Sequence, residues 1–243
     1  MRNLLLARLS PAEWERLSPR LREVEFPIRT VLQEAKAPVE HLDFVETGLA
    51  SVVTLAGRDR IEVGVIGYEG IVGVPALLGG GAEAPYETFV QVGGSALRLP
   101  VAEIRPVLDD IPRLGADLLH FVHVMMVQIA NTAVANGRNT VEQRLARWLL
   151  MAHDRLAGDE IALTHEFLAV MLGVRRPGVT VALHMLEGTR AVRSRRNSIR
   201  ILDRERLKAI AGSTYGAPER LYEMLLGTPI AALEEPQSSL GRA

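Results

Sequence analysis

The sequence has no cysteine among its 243 residues. This absence excludes disulfide bonds, a thiolate nucleophile, and zinc or iron–sulfur sites that need cysteine ligands. Long hydrophobic runs are missing as well, because no apolar stretch approaches the roughly 18 residues that span a bilayer. The apolar run at residues 4–7 is too short for a signal peptide and is followed at once by Arg8. We therefore predict a cytoplasmic protein with no membrane partner.

The chain also lacks a strong overall charge, since its formal net charge is -1. That average hides one basic region. Residues 175–206 carry nine arginines against three acidic residues, a charge of about +6 that leaves about -7 on the rest of the chain. A basic patch on an acidic body indicates a polyanionic partner that meets one surface of the protein.

The N-terminal part of the chain predicts a small β-domain. Residues 2–23 are predicted to be helical, with Ser10 as the N-cap and Glu13 completing a capping box. After residue 25, short β-branched runs alternate with turn residues, for example at 47–48 and 93–94, which is typical of a jelly-roll-like β-barrel. The predicted strands are 30–32, 41–46, 50–55, 60–65, 87–92 and 96–99.

Pro112 opens a long helical stretch that runs from Arg113 to about Asn136. Apolar residues recur along it at steps of three and four, and the opposite side is apolar too. Two interpretations stay open. The helix is either buried in the core, or it packs one face on the barrel and the other on the same helix of a second copy. In the second case the predicted dimer interface contains Leu118, Phe121, Val122, Met125 and Ile129.

Residues 163–202 have the pattern of a winged helix-turn-helix. Thr164 caps a helix that ends at Gly173, and a second helix starts at Arg175 or Arg176. Residues 191–202 then alternate apolar and basic side chains about a turn, which predicts a two-stranded wing. The predicted buried side chains are Phe167, Leu168, Met171 and Leu172 in the first helix and Val179, Leu183, Met185 and Leu186 in the second.

This arrangement suits DNA, because a short helix fits the major groove and meets base edges through its N-terminal residues. Arg175 and Arg176 stand at that end, and the guanidinium fork matches the O6 and N7 acceptors of guanine. Thr180, one turn further, is predicted to meet a phosphate or a thymine methyl. The alternative interpretation is a solvated basic hairpin beside a helical hairpin. The predicted phosphate contacts are Thr164, His184, Arg193, Arg195 and Arg196.

These features resemble the Crp–Fnr family of bacterial transcription regulators over at least residues 15–206. The resemblance rests on the segments VEQRLARWLL (141–150) and LTHEFLAVMLGVRR (163–176), and on the order of barrel, long helix and winged helix. It implies a homodimer formed along the long helix, a sensory barrel, and a recognition helix that reads half-sites of an inverted repeat. RNA polymerase is an expected partner.

By position, the resemblance implies that Arg175, Arg176 and Thr180 are the base-reading residues. Pro177 and Val181 depart from the best-known members, which often carry a glutamate and an arginine at these positions. The operator is therefore expected to differ from theirs.

The ligand positions of the barrel also depart from the family pattern. Members that bind cyclic nucleotides hold the phosphate with a Gly-Glu pair and a downstream arginine. Here Val74 replaces the glutamate, and Tyr86 or Glu87 replaces the arginine. A glutamate would repel a phosphate, so cyclic AMP is predicted not to be a tight ligand, and the effector stays unknown. The glycines at 79–81 are predicted to form a plain loop rather than a phosphate cradle.

No catalytic or metal-binding constellation stands out in the sequence. His120 and His123 lie three residues apart on the long helix, but without a nearby carboxylate or thiolate they favour packing over a metal or haem site. We predict no cofactor, and an enzyme that works in the barrel is disfavoured because no Ser/His/Asp set or paired-carboxylate site is recognisable.

The sequence as a whole predicts an α+β protein in four parts. These are a β-barrel domain (1–110), a dimerisation helix (111–138), a winged helix-turn-helix domain (139–206) and a partly disordered C-terminal extension (207–243). The predicted function is that of a homodimeric, sequence-specific DNA-binding regulator. The alternative is a ligand-binding or scaffolding protein whose winged helix contacts another protein.

Overall fold

The computed structural model describes residues 1–56, 59–79 and 83–230. It confirms the predicted α+β class. The N-terminal unit, called here the sheet domain, is built on an antiparallel sheet with the strand order β1-β6-β3-β4, to which β2 adds on β6 and β5 adds on β3. Its strands are β1 (Arg22–Phe26), β2 (Val31–Gln33), β3 (His41–Ala56), β4 (Asp59–Ile66), β5 (Ile71–Val72) and β6 (Glu87–Pro100), and its helices are α1 (Pro11–Leu17), α2 (Pro75–Gly79) and α3 (Val101–Asp110).

The C-terminal unit follows a long helix, α4 (Pro112–Arg138). Its small sheet has the order β7-β9-β8. Thr140 and Gln143 form a capping box at its first helix, as their spacing indicates. Its helices are α5 (Val141–His153), α6 (His165–Leu172), α7 (Arg176–Gly188), α8 (Arg204–Ala211) and α9 (Ala217–Leu226), and its strands are β7 (Glu160–Ala162), β8 (Val192–Arg195) and β9 (Ser198–Ile201).

The predicted helix over residues 2–23 is only partly confirmed. Ser10 and Glu13 form the expected capping box of α1. The helix then stops at Leu17, and Arg22 already begins β1. Pro19 lies in a 3-10 turn between them, because proline has no N–H to donate to a helix that continues through it.

Two long strands replace four of the predicted short ones, since β3 and β6 each run through a predicted turn. The glycines at these points lie where the pairing of β3 with β6 changes register. A Cβ atom on Gly48 would lie 2.5 Å from the carbonyl oxygen of Val92, and one on Gly94 would lie 2.1 Å from that of Thr47. The turn prediction was wrong because glycine also marks bulges where two backbones approach closely.

The inner face of α4 lies directly on the sheet domain. A Cβ atom on Gly70 would lie 2.1 Å from the ring of Phe121, so the helix approaches the chain at a bare glycine. The side-chain amide of Gln128 bonds to both the N–H (2.6 Å) and the carbonyl (3.2 Å) of Val65. Near the other end, buried Asp117 pairs with Arg8 at 2.8 Å. These contacts hold the helix against the sheet domain.

The residues predicted to form the dimer interface lie on the face of α4 that packs on the sheet domain of the same chain. Leu118, Phe121, Val122 and Met125 are between 1% and 8% exposed, because the sheet domain of the same chain covers them, and Ile129 is half-buried. For this face the core-helix interpretation holds. The opposite face carries a row of exposed residues, called here the outer stripe, which consists of Ala116, Leu119, His123, Met126, Ala130 and Ala133.

The outer stripe gives α4 an unusual composition for a surface helix. Met126 is 64% exposed and Leu119 is 55% exposed. Among the described residues, α4 is the one helix that is long and apolar enough to cross a membrane, with a mean hydropathy of 1.5 in a window that is 39% buried. A helix in the core of a soluble protein can be equally long and apolar. Helix α4 also contains the buried Asp117, which pairs with Arg8.

The described part of the C-terminal extension, residues 207–230, is folded onto the rest of the chain. Helix α8 begins at Arg204, so it crosses the predicted boundary at residue 206. Helix α9 packs on α4, its Tyr222 and Leu226 are fully buried, and the Tyr222 hydroxyl donates to the carbonyl of Glu69 at 2.8 Å. The disorder expected after Leu233 lies outside the described residues, as do two of the three glycines at 79–81.

Candidate nucleic-acid interface

The helix-turn-helix forms where the sequence predicts it. The hydroxyl of Thr164 accepts the backbone N–H of Phe167 at 3.2 Å and so caps α6. Gly173 ends α6 with a left-handed φ of +58°, a conformation that glycine adopts without strain. Arg175 is the N-cap of the second helix, α7, which starts at Arg176.

The buried sides of these helices differ from the prediction at two positions. Helix α7 buries Val179, Leu183 and Leu186 as expected, but Met185 is 50% exposed. At 100° per residue, Met185 points away from a face defined by positions 179, 183 and 186. Phe167 is half-buried and stacks on Phe89 of the sheet domain, with ring centroids 6.4 Å apart, so it also contacts the other unit.

The wing consists of β8 and β9 joined by a turn at Arg196 and Asn197, where Asn197 has a φ of +60°. Val192, Ile199 and Ile201 are buried beneath it. The carboxylate of Glu187 on α7 accepts the backbone N–H of Ser194 at 2.7 Å. This bond holds the wing in a defined position relative to α7.

A cleft of about 560 Å³ separates the start of α6, the start of α7 and the wing. Four of the predicted DNA contacts line it together. The other four lie outside its lining: Arg175, His184 and Arg193 are exposed, and Thr180 is half-buried. The residues that the cleft brings together are Thr164, Arg176, Arg195 and Arg196.

Thr180 is less available than its position in the sequence suggests. Its hydroxyl donates to the backbone carbonyl of Arg176 at 3.3 Å and lies 3.5 Å from Nδ1 of His165. Val181, by contrast, is 59% exposed on the same helix and is not among the predicted DNA contacts. In the sequence it is marked as an apolar side chain that falls outside the repeat of buried residues in α7.

Residues 143–210, which contain this whole arrangement, match the sequence profile of the Crp-like helix-turn-helix domain. The family model covers this part of the chain alone, so residues 143–210 form a Crp-like helix-turn-helix domain. Domains of the helix-turn-helix class bind DNA through their second helix, which is α7 in this chain. No curated protein sequence matches the chain significantly.

Solved structures share the fold along most of the chain. FixK2 from Bradyrhizobium japonicum matches with a TM-score of 0.68 at 18% identity, over 79% of this chain and 98% of its own. The global regulator CLP of Xanthomonas campestris matches with a TM-score of 0.65 at 15% identity, over 79% and 99%. A CRP-family transcriptional regulator from Thermus thermophilus gives 0.62 at 20%, over 80% and 99%. At these identities the likeness concerns the fold alone.

The sheet domain differs from the phosphate-binding pattern in structure as well as sequence. Val74 is 8% exposed within the hydrophobic core, and Tyr86 packs against that core. Burial raises the pKa of Tyr86 to about 12. Glu87 forms an ion pair with Arg60. Apolar packing therefore occupies two of the matching positions, and an existing ion pair occupies the third.

The two histidines of α4 point in different directions, since His120 is half-buried and His123 is exposed on the outer stripe. Within the described ranges, no group of three histidine, aspartate or glutamate side chains has the geometry to hold a metal ion.

Proposed function

We propose that this chain is a homodimeric regulator that reads an inverted repeat by placing α7 in the major groove. The observation that supports this most strongly is the cleft between α6, α7 and the wing. It places Arg176 beside Arg195 and Arg196 on one exposed surface. Arginine at a helix N-terminus meets base edges, while arginines of a wing meet phosphates.

Each side chain has a distinct role in this proposal. Arg176, with Arg175 beside it, recognises guanine in the major groove. Val181 is exposed one turn later and contacts a thymine methyl, which gives the operator a thymine that a family member with arginine there would not read. Arg193, Arg195 and Arg196 of the wing, with Thr164 and His184, neutralise phosphates and supply affinity without sequence information. Thr180 can contact DNA only if its hydroxyl gives up the hydrogen bond that it donates to the carbonyl of Arg176.

The proposed dimer uses the outer stripe of α4. Its members follow one another at steps of three and four residues, which is the spacing of a two-stranded coiled coil. Leu119 and Met126 supply apolar area, while Ala130 and Ala133 allow close approach of the two backbones further along. Because α4 packs on the sheet domain of its own chain, the pairing of two copies of α4 would set the separation between the two recognition helices.

Control by cyclic AMP does not form part of the proposal, because Val74 and Tyr86 fill the matching positions with apolar packing. We place the protein in the cytoplasm, where DNA and its expected partner RNA polymerase are found. The effector, if one acts on this chain, binds elsewhere.

Selection of bound DNA from a random library, with the intact chain, tests the proposal. The expected result is enrichment of an inverted repeat whose half-site centres lie about 10–11 base pairs apart. Failure to enrich any sequence, together with the absence of salt-sensitive DNA binding, would favour a winged helix that contacts another protein.

A further inference from the structure

The segment after α8 connects the hydrophobic cores of the two units. Helix α8 packs on α5, and its Leu207 is fully buried in the cluster that contains the helix-turn-helix core. The next helix, α9, packs on α4 instead. Its Tyr222 and Leu226, and Ile230 beyond it, are buried in the cluster of the sheet domain. We call residues 212–230 the strap, because they leave one core and end in the other.

The strap begins where α4 meets α5. The carbonyl of Thr214 accepts a hydrogen bond of 2.9 Å from Nε of Arg147, and its hydroxyl accepts one of 2.8 Å from the side-chain amide of Asn139. Arg147 belongs to α5, and Asn139 is the C-cap of α4. Arg147 also donates to the carbonyl of Gln128 on α4 at 3.4 Å. The strap therefore braces the connection between the two helices.

Farther along, the strap contacts the sheet domain beside the buried ion pair of Glu69 and Arg155. The hydroxyl of Tyr222 donates to the carbonyl of Glu69 at 2.8 Å. The carboxylate of Glu219 lies 3.9 Å from the guanidinium of Arg155. One turn after Tyr222, the carbonyl of Leu226 accepts a hydrogen bond from Arg8 of the sheet domain. These contacts hold α9 at a defined place on the other unit.

The strap restricts rotation of the helix-turn-helix about the end of α4. Residues 212–216 are all that separate α8 from α9, so the strap has little slack. A rotation of the C-terminal unit pulls α9 off the sheet domain and breaks the bond of Tyr222 to Glu69. It also exposes the apolar side chains of Leu226 and Ile230 to water, which is unfavourable in proportion to the area exposed.

We propose that the strap fixes the helix-turn-helix against the sheet domain in the orientation that reads DNA, so that operator binding depends on the docked strap and not on a small molecule. A ligand shifts a conformational equilibrium only when it binds one state more tightly than the other. An orientation that the chain's own contacts already fix leaves little for a ligand to shift. The role in DNA binding rests on the proposed function, whereas the fixed orientation does not.

Distances between spin labels on the two units test the fixed orientation. The chain has no cysteine, so Glu23→Cys on β1 and Met185→Cys on α7 place one label at each of two exposed positions. Labelled chain is mixed with an excess of unlabelled chain, so that distances within one chain dominate. We expect one narrow distance distribution without any added ligand. A broad or multiple distribution overturns the proposal.

A matched pair of variants tests the role of the strap. Tyr222→Ser with Leu226→Ser removes two of its apolar anchors. Glu223→Ser with Met224→Ser is the control, because it places two serines in the same helix at exposed positions. We expect the first variant to broaden the distance distribution and to bind the selected operator at least about tenfold more weakly, since fewer molecules hold the competent orientation. The control should match the wild type.

Unchanged or increased operator affinity in the first variant contradicts the proposal, and so do equal effects in the two variants. Amide hydrogen exchange separates release of the strap from unfolding. In the released variant the amides of α9 should exchange faster, while those of β3 and β6 stay protected.

If the strands lose protection as well, Tyr222→Phe replaces the double variant, because it removes only the hydrogen bond to Glu69. This variant is expected to speed exchange in α9 and to weaken operator binding by about two- to tenfold. No change in either quantity contradicts the proposal.

The orientation and the proposed function fail in different ways. A wild-type chain with a narrow distance distribution that binds no DNA shows that the proposed function is wrong and the fixed orientation is right. A chain that binds its operator with a broad distribution shows that the strap does not fix the two units. Operator binding that disappears on exhaustive dialysis and returns with the small-molecule fraction of a cell extract overturns the independence from a ligand.

Discussion

The indole N–H of Trp148 donates a hydrogen bond of 2.6 Å to the carboxyl group of Glu62. Glu62 belongs to β4 of the sheet domain and Trp148 to α5 of the C-terminal unit, and both side chains are almost fully buried. Burial raises the pKa of Glu62 from its ordinary value of 4.5 to about 8. The junction between the two units therefore contains a carboxyl group that is mostly protonated at neutral pH.

This burial makes stability depend on pH. Between pH 4.5 and about 8 the folded chain binds a proton at Glu62 that the unfolded chain has released. The contribution of Glu62 to the free energy of unfolding is therefore fully present below pH 4.5 and is lost as pH rises through this window, by at most about 1.4 kcal/mol per unit. Calorimetric melting temperatures from pH 5 to pH 8 measure the slope.

Glu62→Gln is the matched control, because the amide keeps an acceptor for Trp148 and does not titrate. The wild-type decline between pH 5 and pH 8 should be larger than that of the variant. Identical slopes in the two proteins would show that Glu62 is ionised in the folded state across this range.

A buried ion pair fixes the C-terminal unit to the sheet domain. The Arg155 guanidinium lies 2.6 Å from Glu69, both groups are 1% exposed, and Glu219 of α9 lies 3.9 Å from the same guanidinium. Arg155→Met leaves these carboxylates buried without their cation, so we expect a loss of about 3–5 kcal/mol in the free energy of unfolding. Denaturant unfolding measures it.

Arg20→Met provides the comparison, because Arg20 pairs with Glu103 at 3.5 Å and both side chains are about a third exposed or more. Its expected cost is below about 1 kcal/mol. Equal effects of the two substitutions would mean that the Arg155 pair adds nothing beyond a surface contact.

Local patterns in the sequence predicted the ends of α6 and α7 well and the partners of helix faces poorly. Thr164 and Gly173 define α6 because a cap and a left-handed glycine act within a few residues of the chain. The periodicity of α4 showed that it has two apolar faces. It did not show that the face with Phe121 packs on Gly70, because that contact depends on the sheet.

The same limit explains the buried pairs that join the two units. Glu62 and Trp148 are 86 residues apart in the sequence, as are Glu69 and Arg155. No local spacing identifies such partners. Arg29 and Phe167 are likewise brought together only when the helix-turn-helix docks on the sheet domain.

The proposed dimer predicts a specific effect on the outer stripe. Met126→Glu places two carboxylates opposite each other across a seam of apolar and small side chains, which disfavours association through like-charge repulsion and desolvation. We expect the variant to sediment as a monomer at concentrations where the wild-type chain is a dimer.

Met224→Glu makes the same chemical change at a methionine of α9 that is 77% exposed. It lies outside the stripe and should leave the oligomeric state unchanged. A dimer that persists in Met126→Glu would move the interface away from this face of α4.

The wing predicts an effect on affinity that does not depend on sequence. Arg195 is exposed beside the cleft, and Arg195→Ala should weaken operator and random DNA alike. The slope of log binding constant against log salt should fall in magnitude by about 1, because one phosphate contact is lost. A loss confined to the operator would instead make Arg195 a base-reading residue.

Arg176 provides the most direct test of sequence recognition through α7. The measurement is the affinity of the wild-type chain and of Arg176→Ala for the selected operator and for random DNA, at one salt concentration. We predict that the variant loses about 1–3 kcal/mol on the operator, tolerates substitution at one base pair of each half-site, and binds random DNA with a much smaller loss. Equal losses on operator and random DNA would contradict the account.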